Sequence, residues 1–515
     1  MPTYLLGMDV GTSSLKAVLI DETGTVIATA QPEYPFQTPR PLWAESDPLD
    51  WWQACLSAIR EILQTSAVAP RDIAGIGLSG QMHGLVMLDA LGNVLRPCIM
   101  WNDQRTAAQC QRLTLKVGSK KVLELTGNPI LPGFTAPKIV WVHANEPDVF
   151  EQCDKILLPK DYVRYRLSGE FYTDVSDASG MSLLNVGKRQ WEPEMLEACG
   201  ITREHLATVT ESTEASTRLS RQAAELTGLL EGTPIVAGGG DQAAQAVGSG
   251  IVREGLVSCT LGTSGVVFAH SSQFRVEEEG RLHAFCAAVP GEWHLMGVML
   301  SAAGSYQWFR DHLGQEEMRR EKDTGTDAYA FLDEAARQAP AGCEGLLFLP
   351  YLSGERTPHP DPNARGVFFG LTLRHGKAHL TRSVLEGVTF GLRDSLELMR
   401  TLGVRPSKVI ASGGGARSPF WRHLLANIFQ VDIATVNVTE GAAFGACLLA
   451  GVGADVFPSV AEACKRTIRE EPAGTPEGDA IAYEDFYRHY RALYPLLKDE
   501  FQRLAKTVEK HLDKG

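Results

Sequence analysis

Three things are scarce in this 515-residue chain, and each scarcity excludes something. Positive charge is outnumbered, with 49 Lys and Arg against 62 Asp and Glu for a net charge of -13. A nucleic-acid partner is therefore not expected, because phosphate backbones are held mainly by Lys and Arg. Long apolar runs are missing: none approaches the roughly 18 residues that a bilayer-spanning helix needs, so no membrane partner is expected. Paired cysteines are missing too, since the ten cysteines form no Cys-x-x-Cys and keep no regular spacing. Cys55, Cys110, Cys199 and Cys447 fall in apolar helical patterns and read as small buried hydrophobes, which fits a reduced protein better than a disulfide framework. The N-terminus carries neither a basic n-region nor a small-residue cleavage site, so a cytoplasmic location is expected. There is no Gly-x-x-x-x-Gly-Lys-Ser/Thr loop, no protein-kinase signature, no short-period repeat and no low-complexity tract.

What is present begins with a turn that occurs twice. Leu6-Gly7-Met8-Asp9-Val10-Gly11-Thr12-Ser13-Ser14 runs into the apolar stretch Leu15 to Ile20. In the second half, Leu256 to Leu261 leads through Gly262-Thr263-Ser264-Gly265 into Val266-Val267-Phe268. Each reads as a strand, a Gly-Thr-Ser turn and a returning strand. Such a turn can aim backbone N–H groups and hydroxyls at one point, which suits a phosphate. Two of them in a chain long enough for two domains point to an ATP-dependent enzyme closing on one nucleotide.

The surrounding pattern is α/β. Tyr4–Asp9, Leu15–Ile20 and Thr25–Ala30 read as a meander, and Ser46-Asp47-Pro48 as a capped helix start. The helix it opens carries Trp51, Cys55, Ala58, Ile59 and Ile62 at helical spacing, and Ile73–Leu78 reads as a strand. Thr233–Ala237 reads as another strand, followed by the breaker cluster Gly238-Gly239-Gly240-Asp241 and a small-residue helix over Ala243–Val247. A domain junction is expected near 249, dividing the chain into 1–248 and 249–515. The tail from Tyr483 to His511 is read as helical, with Tyr483, Phe486, Tyr487 and Tyr490 on one face.

Two carboxylates stand out. Asp9 would sit beside any phosphate held by Gly11 and Thr12, and negative charge next to phosphate makes sense only with a cation between them, which implies Mg²⁺. The bland alternative for Asp9 is a turn former. Asp241 follows three glycines that let the backbone approach a ligand closely, and phosphoryl transfer to a hydroxyl needs a base there. Its alternative is a helix N-cap, which does not conflict with that role. Gly238 to Ala243 also fits a loose dinucleotide fingerprint, rejected because Asp241 would stand where a pyrophosphate needs open N–H groups. Lys16 could neutralise phosphate charge or be a solvated strand residue. Ser412-Gly413-Gly414-Gly415 could admit a flat base, or simply pack strand on helix. His83, in Gly80-Gln81-Met82-His83-Gly84, has no partner at metal-ligand spacing and is better placed to bond a small polar ligand. Met100-Trp101-Asn102-Asp103 offers an aromatic plate beside an amide, or a packed turn.

These segments resemble the FGGY carbohydrate kinases from Asp9 to about Ala450. Gly133-Phe134-Thr135-Ala136-Pro137-Lys138-Ile139-Val140-Trp141 is similar to one family signature. Gly366 to Leu371, with His379-Leu380 and Ser383 to Glu386, is similar to the other. Tyr351-Leu352-Ser353-Gly354-Glu355-Arg356-Thr357-Pro358-His359 and the Met82-His83 and Trp101-Asn102 loops are similar to those of members that phosphorylate D-xylulose. The resemblance implies a two-domain actin-like ATPase fold of ribonuclease-H-like sheets, with the active site in the interdomain cleft. It implies Asp241 as the base acting on the C5 hydroxyl of D-xylulose, and Asp9 as the magnesium residue, through water. Gly11, Thr12, Ser13, Gly262 and Thr263 would hold phosphates, and Gly414 and Gly415 the adenosine. Met82, His83, Asn102 and Gln242 would contact the sugar. Some of those members have asparagine in place of Gln242, and the longer amide bears on sugar preference. A kinase for ribulose, gluconate or glycerol is the near alternative, and a non-metabolic actin-like ATPase the distant one. A homodimer is a family expectation.

Overall fold

A computed structural model describes residues 3–512. The chain forms two compact units that are not contiguous in sequence. The first comprises Met1–Arg253, His270–His294 and Val436–Arg469, and the second Glu254–Ala269, Leu295–Thr435 and Glu470–Gly515.

The first unit is built on a sheet one side of which is the expected meander: β1 (Tyr4–Val10), β2 (Leu15–Asp21) and the edge strand β3 (Val26–Ala30). Helix α1 (Pro48–Ser66) is capped by the Asp47 side chain, which accepts from the Leu49 N–H, and helices α2 (Thr135–Asn145) and α3 (Pro159–Ser168) follow in the same unit. Strand β4 (Ile73–Gly80) lies parallel to β1 on the side away from β2, and the short strands β5 (Pro234–Ile235) and β6 (Gly239–Gly240) lie parallel to β4. Both faces of the sheet are buried, so alternate residues of β1 serve different cores. Leu6, Met8 and Val10 join Trp51, Cys55 and Ile59 of α1. Leu5 faces the opposite way, into a core made with α4 (Asp241–Gly248) and the helix Gly441–Gly453. That last helix is drawn in from far along the chain. It sits so close to the strands that a Cβ on Gly7 would strike Ala443 and one on Gly77 would strike Ala446.

The second unit repeats the hairpin. Strands β7 (Leu256–Leu261) and β8 (Gly265–Ser271) are antiparallel, and β9 (Lys408–Ser412) runs parallel to β7 as β4 does to β1. Helix α5 (Ala303–Leu313) follows the hairpin. α6 (Lys377–Thr401) is buried almost without interruption from Thr381 to Leu396, and α7 (Pro419–Phe429) opens after Gly415. The tail is one helix, α8 (Asp479–Leu512), whose Tyr483, Tyr487 and Tyr490 rings pack around Phe390 of α6. All ten cysteines are free and buried. Among the described residues no helix is long and apolar enough to cross a membrane.

Candidate active site

Strand register brings the two carboxylates of the first unit together. Asp9 is cross-strand to Ser79 on β4, and Ser79 is in turn cross-strand to Gly239 on β6. Two strand spacings separate β1 from β6, about 10 Å, and Asp241 follows directly as the first residue of α4. Asp9 shares its parity with Leu5, so it lies on the sheet face where α4 begins. Burial pushes the Asp9 carboxyl up to about 6, with the Ser79 hydroxyl and Lys16 pulling the other way. Asp241 is pushed up to about 7, first by burial and then by the charge on Asp9. The Gln242 N–H donates to Asp241 Oδ1 at 2.7 Å and opposes that rise. A carboxylate that titrates near neutral pH can take a proton and later release it. Asp9 Oδ1 is buried with no protein hydrogen-bond partner, which fits a residue meant for a hydrated cation. Lys16 ion-pairs with Glu440.

The Gly11-Thr12-Ser13 turn is fixed from several sides. The Gly11 carbonyl accepts from the Tyr34 hydroxyl at 2.7 Å and from Gln81 Nε2 at 3.0 Å, while its N–H donates to the Ser14 carbonyl. The Ser13 carbonyl accepts from the Tyr34 N–H. Trp101 is 44% exposed, and its indole N–H donates to Thr12 Oγ1 at 3.0 Å. Next to it, Asn102 is half-buried with its Oδ1 unpartnered. The Gly11-Thr12-Ser13 turn and the Trp101-Asn102 loop are thus in direct contact.

Met82 adjoins Asp241 through Gly240, and the next residue, His83, packs on Gly180. A Cβ on Gly240 would come within 2.9 Å of Met82, and one on Gly180 within 2.6 Å of the His83 ring. These positions must be glycine for Met82 and His83 to lie where they do. Among the described residues no group of three or more His, Cys, Asp and Glu could hold a metal ion.

Behind Gly239-Gly240-Asp241 lies a charge cluster that the sequence reading did not single out. Lys160 Nζ, wholly buried, meets Asp161 at 2.6 Å, Asp174 at 2.9 Å and Asp177 at 3.4 Å. Asp174 accepts from the Ser176 hydroxyl at 2.5 Å, and Ser176 Oγ accepts the Gly240 N–H at 3.2 Å. Arg164 donates to the Ala237 carbonyl at the other end of the glycine run. Burial drives Asp177 well above the carboxylate range, with Lys160 opposing. The glycine turn that delivers Asp241 is therefore held at both ends by buried ions.

In the second unit, Gly262, Thr263, Gly414 and Gly415 line one cavity of about 550 Å³ with Tyr306, Asp333 and Trp421. Gly413 has φ +83 and no room for a Cβ beside Leu261, whereas a Cβ on Gly414 would meet nothing within 4 Å. The Gly262 carbonyl accepts from the Ala303 N–H and the Thr263 carbonyl from Ala302 and Gly304, so the start of α5 grips the turn. Asp333 accepts from the Tyr306 hydroxyl at 2.9 Å and the Ser418 hydroxyl at 2.5 Å. The wall formed by Ala303, Tyr306 and Asp333 does not stand out in the sequence. Its one signal was the small-residue run Ala302-Ala303-Gly304, too common to weigh alone.

Residues 4–248 match the N-terminal domain of the FGGY family of carbohydrate kinases, and residues 257–454 its C-terminal domain. The chain belongs to this family. It is 43% identical over 498 residues to the xylulose kinase of Escherichia coli (strain K12), covering 96% of this chain and 99% of that one. Among solved structures of the family, the xylulose kinase from Rhodospirillum rubrum superposes with a TM-score of 0.90 at 29% identity, over 97% of this chain and 100% of that one. The gluconate kinase from Lactobacillus acidophilus gives 0.90 at 28% identity, over 98% and 100%. The α/β, two-domain actin-like fold expected from the sequence is the fold of this family.

Proposed function

We propose that this chain transfers the γ-phosphoryl group of ATP to the C5 hydroxyl of D-xylulose, giving D-xylulose 5-phosphate and ADP. The observation that carries the reading is Asp241, a carboxyl raised to about 7 at the start of α4, beside Asp9 and the Met82-His83 loop. Asp241 takes the proton from the sugar hydroxyl as its oxygen forms a bond to the γ-phosphorus and the bond to ADP breaks. Met82, His83, Asn102 and Gln242 hold the sugar. Gly11, Thr12, Ser13, Gly262 and Thr263 hold phosphates, and Gly414 with Gly415 the adenosine. Asp9 would hold Mg²⁺ through water, and the ion when bound would screen the phosphate charge that Asp9 otherwise opposes. In this reading residues 1–248 carry sugar and phosphate binding and residues 249–515 nucleotide binding. The enzyme is cytoplasmic and homodimeric, the latter checked by light scattering.

Full-length similarity to xylulose kinases supports the sugar. Similarity to a gluconate kinase raises the competing substrate, but a carboxylate would need a cation beside the sugar. The lysines that pack on this loop are committed: Lys138 bonds two backbone carbonyls, and Lys160 pairs with Asp161, Asp174 and Asp177. The test is ³¹P and ¹³C NMR of the product formed from D-xylulose and MgATP. Phosphate on C5 supports the reading, and phosphate elsewhere or inorganic phosphate alone overturns it.

A further inference from the structure

The segment Gly133–Trp141 carries a family signature, yet none of its residues enters the reaction above. Its structural position gives it work. Phe134 caps the helix Thr135–Asn145, whose first turn wraps His83. His83 has φ +70, a left-handed conformation that is unfavourable for a non-glycine residue and persists only when its surroundings impose it. The imposing contacts are explicit. The His83 carbonyl accepts from Thr135 Oγ1 at 3.0 Å and from Lys138 Nζ at 2.8 Å. The same Lys138 ammonium donates to the Gly133 carbonyl at 2.7 Å, tying the two loops together. The His83 ring stacks on Phe134 with centroids 4.4 Å apart and planes 14° from parallel. Its Nδ1–H donates to the Gly180 carbonyl at 2.6 Å.

We propose that Thr135 and Lys138 are positioning residues for sugar recognition, holding the His83 peptide in its left-handed conformation and so setting how the Met82-His83 loop meets the sugar. This rests on the reading that the Met82-His83 loop faces the sugar. A lysine is an unfavourable donor to bury merely to satisfy carbonyls. Lys138 is wholly buried, and burial lowers its ammonium to about 7 among Cys98, Asp103, Arg105 and Cys110. Its two carbonyl bonds nonetheless fix the one peptide whose geometry sets the sugar loop.

The test compares wild type with Thr135→Val and Lys138→Met in the full chain. Two readouts are taken: steady-state kinetics with D-xylulose and MgATP, and the His83 ring ¹H–¹³C resonance in ligand-free protein. The expected result is a KM for D-xylulose raised about fivefold or more, as loss of one fixed hydrogen bond implies. The KM for MgATP stays within about twofold, and the His83 resonance shifts before any ligand is added. Thr135→Val removes a single hydroxyl at nearly constant shape, so it decides the matter if Lys138→Met fails to fold. A folded Thr135→Val with an unmoved sugar KM and an unmoved His83 resonance overturns the proposal. A wild type inert toward D-xylulose would instead defeat the functional reading, and a shifted resonance in the variants would still support the clamp.

Discussion

The two Gly-Thr-Ser hairpins have the same sequence at the turn and different chemistry around it. Two residues before the first turn stands Asp9, cross-strand to Ser79; two residues before the second stands Thr260, cross-strand to Ser412. The first pair puts a carboxyl raised to about 6 at the strand end. The second is a neutral pair, Thr260 Oγ1 and Ser412 Oγ at 3.0 Å. The first turn is gripped by side chains, Tyr34 and Gln81, and the second by the backbone N–H groups that open α5. The same turn thus occurs twice, while a carboxylate stands beside only the first copy. The floor beneath each site follows the same division: buried ions under Asp241, and hydroxyls and rings around Gly414 and Gly415.

The strongest way to break this contrast is to neutralise the charged side. Asp241→Asn should lower kcat by roughly 10³-fold while D-xylulose still binds, read by kinetics and by isothermal titration. In wild type, kcat/KM should fall on the acid side with an apparent pKa near 7. As the proposed base, Asp241 must be ionised, and its raised carboxyl takes up a proton as pH drops through that value. The acid limb should vanish with the carboxylate.

Lys160→Met attacks the floor of the first unit. It leaves Asp161, Asp174 and Asp177 buried without their shared ammonium, at a cost of about 3–5 kcal/mol in a urea melt. Gly414→Val addresses the second unit, where a side chain would meet only open space in the protein. It should leave the melting temperature unchanged and raise the MgATP KM about tenfold, with the sugar KM unmoved. The smallest effect belongs to the neutral hairpin. Thr260→Val loses one hydroxyl pair, worth about 1 kcal/mol of stability, and kcat should stay within about threefold.

Much of this was legible because it is local. Both hairpins, the capped start of α1 and the glycine run ending at Asp241 are patterns of a few adjacent residues. What escaped depends on long-range contact. The sequence Pro159–Ser168 holds Lys160, Asp161 and Arg164, which by composition alone suits a solvated helix. Only the fold packs those charges against Asp174 and Asp177. The return of Gly441–Gly453 to the first sheet left no periodic mark there either. Its traces are Gly7 and Gly77, strand glycines that read as weak β-formers until the helix is seen resting on them. The walls around Gly414 come from three separate stretches of chain for the same reason.

The most direct test of the whole account is ADP release with MgATP across D-xylulose, D-ribulose, L-xylulose, L-ribulose, gluconate, glycerol and no sugar. The account predicts the highest kcat/KM on D-xylulose and negligible release without sugar. Preference for gluconate or another sugar, or release indifferent to every sugar, would contradict it.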